Sequence, residues 1–205
     1  MSTHVAVIID IVGSRAVADR ADAHRRVLAA FEAVDKRWTP ERAVYATAGD
    51  EYQAVYASAS AALAAVTAAA LLLGNGPELR CGIGRGEIVD FDATRGLSDG
   101  SAWWNARAAI DDAKRRQTTG HPDARAWFAD PGSADAPAIT AFLVMRDHVM
   151  ARMKARERRV AALTLLGASQ AQIAADEAIS QPAVSQSLRR SGASALSEAL
   201  ATLGA

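Results

Sequence analysis

One cysteine, Cys81, stands in a chain of 205 residues. It has no intramolecular disulfide partner, and a zinc cluster built on cysteine and histidine is excluded. The four histidines, His4, His24, His121 and His148, show no metal-ligand spacing. So little thiol suits a reducing compartment, and the cytoplasm is the expected location. Long apolar runs are missing too. The longest, "AALAAVTAAALLLG" (61–74), falls short of the roughly 18–20 residues a membrane span needs. The opening "MSTHVAVIID" has no basic lead and no cleavage pattern, so it does not read as a signal peptide. No membrane partner is expected. "GIGRGE" (82–87) lacks the Lys-Ser/Thr pair of a Walker-type phosphate loop, and no Ser-His-Asp grouping can be argued. An excess of one charge is absent as well: 23 Lys and Arg balance 23 Asp and Glu. The balance is local, however. Residues 1–150 hold 16 basic and 19 acidic residues, and residues 151–205 hold 7 and 4. A small basic tail on an acidic body points toward nucleic acid.

What is present reads as alternating elements. "HVAVIIDIVGSR" (4–15) is a buried strand ending at Gly13. A helix is expected over about 18–37, with Val27, Leu28, Phe31 and Val34 on one face. "VYATAGDEYQAVY" (44–56) reads as a hairpin with strands near 43–47 and 52–56. An alanine-rich helix follows at 60–73, capped by Ser58 or Ser60 and closed by Gly74. Residues 78–91 form a fourth strand, or two, whose glycines at 82, 84 and 86 signal a bend or a close backbone approach. The order β-α-β-β-α-β is the ferredoxin-like pattern of an α+β fold, an antiparallel sheet with helices on one face. A loop at 92–100, a helix at about 101–117 and a strand near 124–130 complete a first domain, 1–132. "PGSADAPA" (131–138) marks the boundary. The second domain, 133–205, opens with one long helix over 138–166, packed on its own chain or used for a homodimer.

"GASQAQIAADEAISQPAVSQSLRRSG" (167–192) is the most specific stretch. Ser169 caps a first helix and Ser180 a second, with Pro182 in its first turn. Val184 and Leu188 point inward. This resembles the helix-turn-helix of bacterial regulators. The resemblance places Ser180, Gln181, Ala183, Ser185, Gln186, Arg189 and Arg190 against double-stranded DNA: short polar residues reach base edges and Arg reaches phosphates. Two positions depart from the pattern. Glu177 stands where a Leu often packs and needs a partner or an outward tilt. Ala178 stands where the turn often has Gly, which implies a slightly different turn. A small helical protein-contact unit is the plainer alternative.

The adjacent carboxylates Asp50 and Glu51 raise a second question. In a βαββαβ sheet the first strand lies beside the third, which brings Asp10 toward Asp50. Carboxylates meeting at strand ends can hold Mg²⁺ on a nucleotide, and Ser14, after Gly13, can offer donors to phosphate. The plainer readings also stand: Asp10 pairs with an arginine such as Arg15, and Asp50 and Glu51 are ordinary turn residues. Here "DIVGSR" (10–15) resembles the metal-Asp motif of class III nucleotidyl cyclases. "TAGDEYQAVY" (47–56) resembles their Gly-Asp hairpin, "LRCGIGRGEIV" (79–89) their following strand, and "GSAWWNARAAI" (100–110) their Asn-containing helix. With the C-terminal motif included, the chain looks most like the SatD family.

The cyclase resemblance implies metal roles for Asp10 and Asp50, with Glu51 beside them, and a ribose-orienting role for Asn105. It also exposes losses. Ala109 stands where cyclases carry an Arg that stabilises transition-state charge, and Ala46 where they select the purine. Loss of such an Arg costs orders of magnitude in rate. The expected function is therefore a DNA-binding transcriptional regulator whose first domain senses a nucleotide with Mg²⁺. The alternative is a metal-dependent enzyme acting on nucleoside triphosphates.

Overall fold

Strand β1 (His4–Ile11) is buried on both faces. Val5, Val7, Ile9 and Ile11 enter one core, and Ala6 and Ile8 enter another. A strand with two dry faces reads as a continuous apolar run, which is why "VAVII" does not alternate. It occupies the centre of a five-stranded sheet ordered β2-β3-β1-β4-β7, where β2 is Arg42–Ala46, β3 Tyr52–Tyr56, β4 Leu79–Gly86 and β7 Ala126–Ala129. Every neighbouring pair is antiparallel except β4 with β7. A separate two-stranded ribbon joins β5 (Val89–Asp92) to β6 (Leu97–Asp99). The computed structural model describes residues 3–47, 49–92 and 97–205; Arg95 and the middle of the expected 92–100 loop lie outside them.

Helix α1 (Arg20–Asp35) starts where the Asp19 side chain accepts from the Asp22 amide, and it buries Ala23, Val27, Ala30, Phe31 and Val34. Helix α2 (Ala59–Leu73) is capped by Ser58 and is buried almost all round. Its alanines matter physically. Small side chains let the sheet, α1 and later helices approach one rod at short range, and alanine carries the best helix propensity.

Helices on one sheet face are expected, but the second face is covered too. Helix α3 (Ser101–Thr118) packs Ala102, Trp103, Ala106 and Ile110 over Ala6, Ile8 and Val55. Two glycines make this possible. A Cβ on Gly82 or Gly84 would strike the α3 backbone at Ala102 and Ala106. These are the close approaches that the glycine spacing in β4 signals.

The expected single helix over 138–166 is two helices, α4 (Ala136–Arg152) and α5 (Ala155–Leu165). Met153 and Lys154 are extended, and the Glu157 carboxylate accepts from the Lys154 amide at 2.8 Å to start α5. Both helices pack on their own chain, α4 on β7 and α5 on α2. Arg146 in α4 is buried beside Asp147 (2.6 Å). The other Asp147 oxygen accepts from the amides of Arg125 and Ala126 at 2.7 and 2.9 Å, tying α4 to the start of β7. Both charges are hydrogen-bonded, which is the condition for burying them.

Helices α6 (Gln170–Asp176), α7 (Gln181–Arg190) and α8 (Ala193–Thr202) follow. Their buried residues Ile173, Val184, Leu188, Leu196 and Leu200 belong to the same hydrophobic cluster as β1, α1 and α2. Two arginines bolt this arrangement. Arg26 of α1 donates to the Leu73 carbonyl, and Arg158 of α5 donates to the carbonyls of Gly74 and Met150. They satisfy carbonyls at the C-terminal ends of α2 and α4, which have no partner within their own helix.

Candidate functional site

Asp10 is the last polar residue of β1 and faces α3. The antiparallel register sets it opposite Arg80 of β4. Arg80 Nη1 donates to both carboxylate oxygens, at 3.0 and 2.9 Å, and Nη2 donates to Gln117 of α3 at 2.6 Å. Asp10 thus pairs with an arginine, but with Arg80 rather than Arg15. Burial raises its carboxyl pKa, Arg80 pulls it down, and the nearby Asp50 charge raises it again. The Asp50 charge thus lies within electrostatic reach of Asp10. Glu51 also points to α3, where Arg107 grips it with Nη1 to Oε2 at 2.8 Å and Nη2 to Oε1 at 2.9 Å. Helix α3 lies across the sheet and presents Arg107 to the hairpin turn.

Two of the three expected metal donors are paired with arginines in this arrangement. Asp10 and Glu51 each have both oxygens engaged by a guanidinium. Among the described residues no three His, Cys, Asp or Glu side chains gather as a metal-sized cluster. A divalent ion at Asp10 would have to share the carboxylate with a buried arginine.

Asp50 turns the other way. With Ser14, Arg20, His24, Tyr52 and Ile11 it lines a cavity of about 310 Å³ between the end of β1, the hairpin turn and the first turns of α1. Ser14 lies in the 3-10 turn Ser14–Ala16, which Gly13 opens in a left-handed conformation. The His24 ring stacks on Tyr52, with 5.5 Å between centroids, and His24 Nδ1 is 3.1 Å from the Tyr52 hydroxyl. Burial first, and then the Asp50 charge, raise the Tyr52 hydroxyl pKa. Ser14 and Asp50 are thus brought together, while Asp10 and Glu51 are tied to other partners. Asn105 is in neither group: its Nδ2 donates to the Arg85 carbonyl at 2.8 Å. Ala109 is fully buried in α3. Trp103 is buried and Trp104 is 64% exposed, so only the first takes the expected core position. Arg85 is not a free surface cation; Asp130, Ser133 and Asp135 hold it.

Sequence reasoning missed Arg20 and His24. Their four-residue spacing at the start of α1 puts both on the side facing the loop after Gly13. That spacing was the available signal.

In the C-terminal helices, Ser180 caps α7 by accepting from the Ala183 amide. Gln181, Gln186, Arg189 and Arg190 are exposed and Val184 and Leu188 buried, whereas Ala183 and Ser185, expected to face outward with the first group, are half-buried. Glu177 finds its partner in Arg159, at 2.8 and 2.9 Å, with Arg156 at 3.8 Å. These arginines, the first above all through its hydrogen bonds, hold the Glu177 carboxyl below its ordinary pKa. Ala178 takes φ +51°, the left-handed conformation that glycine adopts freely. The strain of that conformation, of order 1 kcal/mol, falls on Ala178. Lys154, Arg156, Arg159 and Arg190 line an open cleft between α5 and α7.

These features define a mixed α/β protein: a layered, mostly antiparallel sheet with a polar-mouthed cavity, packed against a cluster of short helices. The chain belongs to the SatD family, whose sequence model matches residues 4–201. No curated protein and no solved structure matches it. Among the described residues no helix is long and apolar enough to cross a membrane.

Proposed function

We propose that this protein is a DNA-binding transcriptional regulator in which a ferredoxin-like, cyclase-like first part senses a nucleotide and α6–α7 act as a helix-turn-helix. One observation carries the reading: α7 keeps Val184 and Leu188 inside and leaves Gln181, Gln186, Arg189 and Arg190 exposed beyond a serine-capped start. Short polar side chains at a helix N-terminus suit base edges in the major groove, and arginines at its far end suit phosphates. The basic cleft beside α7 supports the same assignment. The Ser14–Asp50 cavity is the ligand site of this reading, and the protein works as a homodimer on a two-part DNA site.

Fluorescence anisotropy of the full chain on genomic duplex fragments tests the proposal. Binding is expected to weaken steeply with salt. Arg189→Ala should weaken it on all sequences and lower the salt slope by about 1, whereas Gln186→Ala should cost more on preferred sequences than on others. Absence of duplex binding, or variants that bind like wild type, would sink the idea.

The enzyme reading rests on Asp10 and Asp50 lying within electrostatic reach of each other. It requires metal-dependent pyrophosphate or phosphate release that Asp50→Ala removes. The arginine pairs on Asp10 and Glu51 favour sensing over turnover.

A further inference from the structure

We propose that the cavity at Ser14, Arg20, His24 and Asp50 takes a phosphate monoester the size of a nucleoside monophosphate, and takes it without a divalent cation. This rests on the nucleotide-sensing half of the function proposed above and narrows its ligand.

The first argument is a charge count. The cavity offers one guanidinium, Arg20, and one carboxylate, Asp50, with further polar groups on Ser14, His24 and Tyr52. A triphosphate brings several negative charges, which proteins normally meet with bound Mg²⁺ and further cations. A single phosphate needs one cation and a few donors. Ser14 supplies a hydroxyl. The Tyr52 hydroxyl engages His24 Nδ1 at 3.1 Å, which leaves Nε2 as the ring nitrogen available to a phosphate oxygen.

The second argument comes from the carboxylates that would recruit a metal. Asp10 and Glu51 are neutralised by Arg80 and Arg107, which come from β4, a strand covered on both faces, and from α3, packed on the sheet. The positive charge that other architectures import as an ion is covalently built into this one. Asp50 makes no ion pair among the described residues, which leaves it to accept hydrogen bonds from ligand hydroxyl or amino groups.

The third argument is size and lining. A volume of about 310 Å³ lies at the lower end of ligand cavities, which run from about 300 to 1,000 Å³. Ile11, Val17 and Ala23 give it an apolar wall for the non-phosphate part.

Isothermal titration calorimetry on the full chain tests this, using AMP, GMP, ATP and inorganic phosphate, each with Mg²⁺ or with EDTA. A monophosphate is expected to bind with the same Kd in both conditions, and more tightly than inorganic phosphate. Arg20→Ala should weaken it roughly 10- to 100-fold, the loss of one charge-assisted hydrogen bond. Glu51→Gln, outside the cavity, should change Kd by less than about threefold. ATP binding that needs Mg²⁺ and disappears in Glu51→Gln would overturn the inference. So would inorganic phosphate binding as tightly as the monophosphates, or no probe binding at all. DNA affinity is read separately: duplex binding without monophosphate binding defeats this inference alone. Monophosphate binding that leaves duplex affinity unchanged defeats the ligand control in the regulator reading and leaves this one standing.

Discussion

Asp35 closes α1 at the end where helix carbonyls already concentrate negative charge. Burial raises its carboxyl pKa from 3.8 to about 6, against a weak lowering by the Tyr56 hydroxyl at 3.5 Å. The folded state therefore holds this proton more tightly than the unfolded chain. The associated stability is complete below pH 4 and is lost as pH rises through about 6. Asp35→Asn removes the charge and keeps an acceptor for Tyr56. It should melt above wild type at pH 7.5, with the gap closing as pH falls toward 4. Thermal melts of the two chains across that range check the sign; a gap that widens on acidification contradicts it. At this scale the candidate site was only half legible. That Asp10 approaches Asp50 follows from strand order alone. That Arg80 takes Asp10 requires the β1–β4 register, and a sequence names neither the register nor the face. Glu177 was legible as a residue in need of a partner, but Arg159 was not identifiable as that partner.

Elements were legible wherever caps and periodicity agreed. Ser58, Ser169 and Ser180 each start a helix where the pattern predicts one. The break between α4 and α5 was hidden because the apolar period runs through it. The cue was Glu157, whose carboxylate accepts from the Lys154 amide three residues before it, a start signal inside a continuing stripe. The position of α3 was hidden for a different reason: glycines announce a close approach but not from which side it comes. Gly84 makes the point testable. A methyl group there meets the backbone of α3 between Ala102 and Ala106, where no side chain can swing aside. Gly84→Ala should cost about 1–3 kcal/mol or more, the range for overpacking a tight core, read as a lowered midpoint in urea. A midpoint equal to wild type would mean α3 does not lie this close to β4.

At the scale of the whole molecule, α2 is the shared element. The sheet, α1, α5 and α8 all pack on it, and one hydrophobic cluster runs from β1 to Leu200. The fragment 1–132 lacks α5 and α8, so it would expose an apolar helix face that carries no charged residue. It is expected to aggregate or to melt well below the full chain, as circular dichroism with light scattering would show. A fragment as stable and as soluble as the whole protein would mean that α2 needs no cover. Charge segregation by sequence, acidic before residue 150 and basic after it, therefore does not translate into two separate cores.

The same packing bears on how the protein is made. A chain emerging from the ribosome completes β1 to α2 early, but α5 and α8 follow only after β4 to α4. Until those residues are synthesised, the alanine- and leucine-rich flank of α2 has nothing to sit against, and nascent chains with such surface are prone to aggregate. Arg158, whose two hydrogen bonds reach back to Gly74 and Met150, acts as a late fastening. A message cut short before that codon would yield a product that cannot finish its core, so premature termination removes the protein rather than releasing a working front half.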